Sequence, residues 1–271
     1  MKILVTGATG FIGNYVIEEL LKRNTNVIAT STNIEKAKNT SWFKKVQYIP
    51  YQFTENIENN LVAFFNYPDI IIHLAWQGLP NYKADFHITK NLYTHKAFIK
   101  NLIENGLHNI NITGTCFEYG MQEGELKEEM ECKPDNAYAI AKNELRIYCE
   151  NLQKTNAFNF KWLRLFYTYG FGQNENSLIP QLNKAIKNGD THFNMSGGEQ
   201  IRDFLPIEEV AKNIVTIALQ KKIEGIFNCC SGQPIKVKNF VQQYLSSIGK
   251  SIELNLGFYP YTNYEPMEFW G

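Results

Sequence analysis

The sequence predicts an α/β protein: a Rossmann-type doubly wound parallel sheet with a smaller C-terminal α/β substrate lobe. Short apolar runs alternate with segments of helical spacing along most of the chain. The run at residues 69–75 is almost continuously apolar, as a strand covered on both faces is. The first run meets glycine at once and is followed directly by a helical pattern. Strands that alternate with helices form right-handed crossovers and hence a parallel sheet.

The elements follow in chain order, and the apolar runs that predict the strands of the large domain lie at residues 3–6, 27–30, 46–49, 70–75, 109–113 and 160–166. Helices are predicted at residues 11–23, 83–104 and 136–154. Beyond residue 168 the pattern predicts helices at 178–187, 207–220 and 238–248 and a strand at 225–229. We therefore predict a dinucleotide-binding domain over residues 1–167 and an interleaved substrate-binding lobe over 168–271.

Composition excludes several classes of protein. The 27 basic and 27 acidic side chains cancel, which argues against nucleic acid or an anionic membrane as partner. The five cysteines include no CxxC pair and indicate reduced intracellular thiols. The N-terminus resembles neither a signal peptide nor a spanning helix, so we expect a cytoplasmic protein. The five histidines show no ligand spacing, and we expect no metal site.

A glycine-rich turn joins the first strand to the first helix: Gly7-Ala-Thr9-Gly10-Phe11-Ile12-Gly13. Gly7 permits the tight turn, Gly10 lets the backbone approach a pyrophosphate, and Gly13 allows close packing of helix against strand. The helix N-terminus presents free N–H groups and the positive end of its dipole to the anion. The turn therefore predicts dinucleotide binding.

The end of the second strand bears on which dinucleotide binds. An acid there would accept hydrogen bonds from the ribose 2′-hydroxyl of NAD, but Thr30 is followed by Ser31 and Thr32. Lys36 could face a 2′-phosphate, whereas Glu35 would oppose one. This pattern favours NADP(H) and leaves NAD(H) possible.

Tyr138 and Lys142 lie four residues apart on a predicted helix, so both side chains share one face. The ammonium of Lys142 could lower the pKa of Tyr138 and bind a ribose, while the phenol acts as acid or base. Thr115 follows the fifth strand, where ligands of doubly wound sheets bind, and its hydroxyl could orient a carbonyl for protonation. The three residues predict hydride transfer.

The chain resembles the extended short-chain dehydrogenase/reductase family, specifically its nucleotide-sugar branch. Six segments in order carry the resemblance: GATGFIG at 7–13, HLAW at 73–76, GTCFEYG at 114–120, PDNAYAIAK at 134–142, RLFYTYG at 164–170 and IRDFLPIEEVA at 201–211. The resemblance implies that Thr115, Tyr138 and Lys142 are catalytic. It also implies that Ala75 lies against the cofactor and that Arg202 neutralises the substrate diphosphate, a contact that arginine suits.

The predicted binding residues fall into two sets. The cofactor set is Gly7, Thr9, Gly10, Phe11, Ile12, Gly13, Ser31, Thr32, Lys36, Leu74, Ala75, Tyr138, Lys142 and Phe166. The substrate set is Thr115, Cys116, Phe117, Tyr167, Ser177, Leu178 and Arg202. Tyr167 stands where the family usually has an asparagine that touches the diphosphate, which places the details of that contact in question.

Departures from the family pattern narrow the reaction. The 4,6-dehydratases carry an Asp-Glu pair at the positions of Cys116 and Phe117, and Phe117 cannot act as a base. Epimerase-reductases that resemble GDP-fucose synthase carry Cys and His at the positions of Phe117 and Ser177. The resemblance therefore implies reduction of a C4 keto group, as in conversion of dTDP-4-keto-6-deoxyglucose toward dTDP-fucose for cell-surface polysaccharide. A C4 epimerase that retains NAD is the main alternative, and a silent NADPH-binding regulatory protein is a second.

Two further expectations concern surfaces. Tyr259, Tyr261, Tyr264 and Trp270 crowd the C-terminal segment and either pack the small lobe or form a lid over base or sugar. By analogy with the family we expect a homodimer through the helices at 83–104 and 136–154, with apolar candidates Phe98, Leu102, Leu145 and Tyr148.

Overall fold

The strands and helices of the chain come from a computed structural model that describes residues 1–262 and 265–271. The strands are β1 (Lys2–Thr6), β2 (Asn26–Thr30), β3 (Gln47–Tyr48), β4 (Ile70–His73), β5 (Asn109–Thr115), β6 (Gly124–Glu125), β7 (Asn159–Leu165), β8 (Tyr167–Tyr169), β9 (His192–Asn194), β10 (Ile201–Pro206), β11 (Gly225–Cys229), β12 (Pro234–Lys236), β13 (Glu253–Asn255) and β14 (Phe269–Trp270). The helices are α1 (Phe11–Lys22), α2 (Ile34–Lys38), α3 (Leu61–Phe64), α4 (Leu92–Glu104), α5 (Ala137–Gln153), α6 (Leu178–Asn188), α7 (Ile207–Leu219) and α8 (Val237–Ser247).

A seven-stranded sheet of order β11-β7-β5-β4-β1-β2-β3 forms the centre, and all its strand pairs are parallel. Successive side chains of β1 point to opposite faces, so Ile3 and Val5 pack beneath α1 and α7 while Leu4 packs beneath α3, α4 and α5. Apolar side chains thus fill both faces of the sheet. The predicted doubly wound Rossmann-type architecture is confirmed.

The second half of the chain returns to this sheet. Strand β11 pairs with β7 as the edge strand, and α7 packs against α1 through Ile207, Val210 and Ile214. Assigning the strand at 225–229 to the smaller lobe is therefore wrong, because its hydrogen bonds go to the large sheet. The lobe itself consists of the three-stranded sheet β12-β10-β8, the pair β13-β9, and helices α6 and α8 around a separate core.

The helix predicted over residues 83–104 begins later than its sequence pattern indicates. Helix α4 starts at Leu92, after a wider π-helical turn at His87–Asn91. Upstream of that turn, the carbonyl of Tyr82 accepts the backbone N–H of Tyr138, 2.9 Å away. A tertiary hydrogen bond thus engages this segment, which runs beside α5 instead of extending α4.

The apolar residues proposed for a dimer contact lie mostly inside the protomer. Phe98, Leu102 and Leu145 are each 0% exposed, in the core between α4, α5 and the sheet. They cannot form an outer surface, so their assignment is wrong. Tyr148 is partly buried, with the Lys96 ammonium 5.2 Å from its ring centre. The homodimer itself stays a prediction.

Across residues 1–262 and 265–271, no helix has both the length and the apolar character needed to cross a bilayer. The same residues contain no group of three or more His, Cys, Asp or Glu side chains suited to a metal ion.

A chain of buried polar side chains links three core elements. The Thr6 hydroxyl accepts the backbone N–H groups of Leu74 and Ala75, each 3.2 Å away, so it donates its own proton to His73 Nδ1 at 2.8 Å. His73 then carries its proton on Nε2 and donates it to His95 Nδ1, also at 2.8 Å. Burial lowers the pKa of His73 well below its usual value and that of His95 to about 3. Both rings are therefore neutral near pH 7.

This burial predicts a stability that falls with acid. Below about pH 6.5 the unfolded chain gains protons on His73 and His95 that the folded chain does not bind, so stability present at neutral pH is lost as pH falls. Each histidine should lower the free energy of unfolding by about 1.4 kcal/mol per pH unit below that value. Urea unfolding of wild type and H95N between pH 7 and 5 measures this, since asparagine keeps an acceptor for His73.

The matched control is H192N, which changes an exposed histidine. We expect the free energy of unfolding of H95N to fall less steeply with acid than that of wild type, by about 1.4 kcal/mol per pH unit. H192N should follow wild type. Equal slopes in all three proteins would contradict a neutral buried pair.

Candidate active site

The turn between β1 and α1 leaves no space for a side chain at Gly7 or Gly13. Gly7 adopts φ +68°, and a Cβ on Gly13 would lie 2.2 Å from the Gly7 carbonyl oxygen. No side chain caps α1, and the N–H groups of Phe11 and Ile12 find no backbone acceptor among the described residues. These free donors sit at the positive end of a helix of 12 residues, so the turn fits a pyrophosphate.

The end of β4 lies beside this turn. A Cβ on Gly7 would lie 2.9 Å from the backbone nitrogen of Ala75, and the Thr6 hydroxyl holds the N–H groups of Leu74 and Ala75. The structure therefore places Leu74 and Ala75, both predicted to contact the cofactor, beside the glycine turn. The Thr6 hydroxyl that binds them also donates to His73.

The end of β2 carries no acid. The Ser31 hydroxyl lies 2.9 Å from the Tyr48 hydroxyl, and Asn33 caps α2 by accepting the Lys36 backbone N–H. Glu35 is exposed and pairs with Lys38 at 2.7 Å. The side chains of Ser31, Thr32 and Lys36 are at least partly exposed at this end, as a ribose contact requires.

Thr115 ends β5 and begins a short 3₁₀ turn. Its hydroxyl accepts the Phe117 backbone N–H at 3.3 Å, while the Glu118 carboxylate accepts the Thr115 backbone N–H at 2.9 Å. The two residues thus cap the turn reciprocally. The hydroxyl oxygen accepts within the turn, so the hydroxyl proton is available to donate outside it, on the side where the Tyr138 phenol lies.

Tyr138 is 7% exposed on the first turn of α5, which Asn136 caps. Burial raises the pKa of its phenol, and the neighbouring Tyr82, Glu118 and Cys116 add to this, whereas the Thr115 hydroxyl lowers it by hydrogen bonding. The net shift is upward. The phenol is therefore protonated at neutral pH and positioned beside the Thr115 hydroxyl, as an acid would be.

Lys142 lies one turn further along α5. Its ammonium donates to the Thr113 carbonyl at 2.8 Å and lies 4.3 Å from the centre of the Trp76 ring. Burial lowers the pKa of Lys142 to about 7, although the Glu118 carboxylate raises it. The expected lowering of the Tyr138 pKa is not observed in this structure, because burial of the phenol is the largest influence on this pKa and raises it.

A cleft of about 440 Å³ opens over these residues. All the predicted substrate residues line it: Thr115, Cys116, Phe117, Tyr167, Ser177, Leu178 and Arg202. Ile12, Tyr138 and Phe166 of the cofactor set line it as well. Sequence reasoning missed Tyr82, Phe204 and Glu265, which also line the cleft, because no local pattern marks them.

Arg202 lines the cleft, and its guanidinium is hydrogen-bonded to the C-terminal segment. Its guanidinium donates to Glu265 Oε2 at 3.1 Å and to the carbonyls of Pro266 and Met267. The Tyr167 hydroxyl donates to the same Glu265 oxygen at 2.6 Å. A carboxylate of the chain itself therefore balances the charge of Arg202, and its contact with a diphosphate stays a prediction.

The C-terminal aromatic residues differ in exposure and packing. Tyr259 and Tyr261 are 53% and 42% exposed, and Tyr264 lies outside the described residues. Trp270 lies in β14, which pairs with β6, and the adjacent Phe269 packs on Phe166 and Tyr167. Packing therefore accounts for the end of the segment, and a lid role for the exposed tyrosines stays a prediction.

A Rossmann-type sheet that brings Thr115 and Tyr138 to one cleft, with Lys142 buried one helical turn further along α5, is the arrangement of a short-chain dehydrogenase/reductase. The chain belongs to the NAD dependent epimerase/dehydratase family, whose profile matches residues 3–230.

Named relatives agree with this class, and a solved structure shares the fold. The chain is 30% identical over 272 residues to "dTDP-6-deoxy-L-talose 4-dehydrogenase (NAD(+))" of Aggregatibacter actinomycetemcomitans, covering 100% of this chain and 99% of the relative. It is 26% identical to "dTDP-4-dehydro-6-deoxyglucose reductase" of Escherichia coli, over 89% and 79% of the two chains. The UDP-glucuronic acid 4-epimerase of Bacillus cereus, solved with UDP-glucuronic acid and NAD, superposes with a TM-score of 0.83 at 23% identity, over 100% and 90% of the chains.

The family and these relatives identify the chain as an NAD-dependent enzyme that modifies nucleotide sugars. The talose dehydrogenase of Aggregatibacter actinomycetemcomitans is named for NAD(+) and the Bacillus cereus epimerase was solved with NAD, so neither supports the predicted preference for NADP(H).

Proposed function

We propose that the protein transfers a hydride between a nicotinamide dinucleotide and C4 of a nucleotide-linked 6-deoxysugar, reducing the 4-keto group. One observation carries this proposal: the Thr115 hydroxyl and the protonated Tyr138 phenol meet in the cleft, and neither residue that follows Thr115 is a base. Phe117 has no titratable group, and burial raises the pKa of the Cys116 thiol, so it stays protonated. This arrangement suits chemistry at one carbonyl.

The relatives support the same position on the sugar. The names of the two relatives describe oxidation or reduction at C4 of a dTDP-linked 6-deoxysugar. Oxidation and reduction are one reaction in opposite directions, so the same residues serve both. A dTDP-linked substrate, with a role in making deoxysugars for cell-surface polysaccharide, follows as part of the proposal.

The chain's own residues supply positioning and the proton. When bound, the reduced dinucleotide supplies the hydride to the C4 carbon. Tyr138 donates its phenolic proton to the C4 oxygen, and Thr115 donates a hydrogen bond that orients that oxygen. Lys142 is buried behind the site and donates to the Thr113 carbonyl, and because burial lowers its pKa to about 7, its amine is only partly protonated near neutral pH.

The test is absorbance at 340 nm with NADPH and then NADH, using enzymatically generated dTDP-4-keto-6-deoxyglucose. Stoichiometric oxidation of either cofactor is the expected result, and NMR of the product then gives the C4 configuration. Purified protein that carries bound NAD, oxidises neither cofactor and interconverts UDP-sugars would instead identify a C4 epimerase. Binding of NADPH with no turnover of any nucleotide sugar would point to a regulatory protein.

Tyr138→Phe should lower turnover by about 100-fold or more, because the proton donor is lost while the ring remains. Steady-state kinetics on both proteins measures it. Tyr93→Phe is the matched control, since Tyr93 is 52% exposed on α4 and should leave turnover unchanged. Near-normal turnover in Y138F would remove Tyr138 from this role.

Ser31→Asp should favour NADH over NADPH by about tenfold in kcat/KM, since a carboxylate accepts a ribose hydroxyl and repels a 2′-phosphate. The ratio of kcat/KM for the two cofactors is the measurement. Asn26→Asp is the control, because Asn26 is the exposed first residue of β2, at the opposite end of the strand from Ser31. An unchanged ratio in S31D would show that the end of β2 does not read the ribose.

A further inference from the structure

A carboxylate with no contact to solvent lies behind the candidate catalytic residues. Glu118 is 0% exposed and accepts hydrogen bonds from three groups. Its Oε1 accepts the Thr115 backbone N–H at 2.9 Å, and both oxygens lie 3.0 Å from the Trp162 indole nitrogen. Its Oε2 accepts Arg164 Nε at 2.9 Å. A buried charge at such a site is costly unless every partner is present, as here.

The surrounding residues leave room for this carboxylate. A Cβ at Gly114 would lie 2.4 Å from Glu118 Oε1 and 2.2 Å from the Trp162 indole nitrogen. Gly114 is the residue of β5 directly before Thr115. The end of β5 therefore approaches the Glu118 and Trp162 side chains as closely as a bare backbone permits.

The partner cation is equally enclosed. Arg164 is 1% exposed, stacks on the Tyr119 ring, and donates to the Glu128 carbonyl and the Cys132 sulfur. These contacts hold Arg164 against Glu118 Oε2, whereas the Thr115 N–H is bound by Oε1. The carboxylate consequently has one oxygen on the backbone of Thr115 and the other on a fixed cation.

We propose that Glu118 is a positioning residue that fixes the Thr115 backbone at the end of β5. Its negative charge also favours the protonated forms of Tyr138 and Lys142. It acts through Thr115 and touches no reacting atom. The inference rests on the proposed function, because it assumes that Thr115 and Tyr138 face the reacting carbonyl.

The electrostatics agree with this geometry. The Glu118 charge raises the pKa of both Tyr138 and Lys142. The other titratable groups around these two residues are Tyr82, His73, His87, His95 and Cys116. None of them is altered in the variants below, so a change in Lys142 titration would report the Glu118 charge.

Two substitutions separate charge from geometry. Glu118→Gln keeps the size and an oxygen for the Thr115 N–H but removes the charge, so the apparent pKa values in the kcat profile should fall by about 0.5 unit or more. Glu118→Asp keeps the charge but draws the carboxylate oxygen away from the Thr115 N–H, so kcat should fall about tenfold. KM and the apparent pKa values in the kcat profile should stay nearly unchanged. Should E118Q fail to fold, E118D still tests the positioning role.

Trp162→Phe is the matched control. It removes another hydrogen bond to the same carboxylate while leaving the charge and the Thr115 contact in place. Phenylalanine also keeps an aromatic ring facing Lys142, whose ammonium lies 6.0 Å from the centre of the Trp162 ring. We expect a loss of stability with kcat and its pH profile close to wild type. Wild-type kcat and pH profile in both Glu118 variants would overturn the proposal, as would an equal effect of W162F, which would make the cluster merely structural.

A second readout needs no substrate and separates this proposal from the proposed function. NMR of protein labelled at lysine Cε follows the titration of Lys142, assigned with K142M, in the dinucleotide-free protein. E118Q should lower the Lys142 pKa by about 0.5 unit or more, and W162F should not. If the wild type turns over no nucleotide sugar, the proposed function fails, and an unshifted Lys142 titration in E118Q would independently refute the charge role.

Discussion

The structure depends on a parallel sheet whose strands all end at the same edge. Parallel strands require crossovers over one face or the other, and the apolar side chains on both faces must then be covered. Helices α1 and α7 cover one face and α3, α4 and α5 the other. Because β1, β4 and β5 are neighbours, their carboxyl ends bring Gly7, Ala75 and Thr115 close together. The cleft is a consequence of this topology.

Buried polar groups lie near this edge of the sheet, and each must find a hydrogen-bond partner inside the protein. Thr6, His73 and His95 do so with neutral groups in a chain of hydrogen bonds, and the histidines remain unprotonated because they are buried. Glu118 and Arg164 do so with opposite charges at 2.9 Å. Each solution ties one strand end to a neighbouring element. Rigid strand ends are what a site for hydride transfer needs, since its geometry must be held before the ligand arrives.

The expectations that were wrong share a physical cause. Helical periodicity at Phe98, Leu102 and Leu145 identifies an apolar face but does not say whether the protomer or a partner covers it. The strand Gly225–Cys229 has the same local pattern whichever sheet it joins, and only its pairing with β7 decides. The segment before α4 likewise makes a hydrogen bond that no local pattern indicates, from the Tyr138 N–H to the Tyr82 carbonyl, far apart in sequence.

Features that depend on short spacing can be predicted from the sequence: the glycine turn at residues 7–13, the Tyr138 and Lys142 pair one helical turn apart, and the hydroxyl of Thr115 at the end of β5. Steric limits and helical period act over a few residues, so they can be read directly. The tertiary structure alone decided that Glu118 meets Trp162 and Arg164, and that Arg202 meets Glu265. Those pairs lie tens of residues apart, and packing of the whole chain, not any local preference, brings them together.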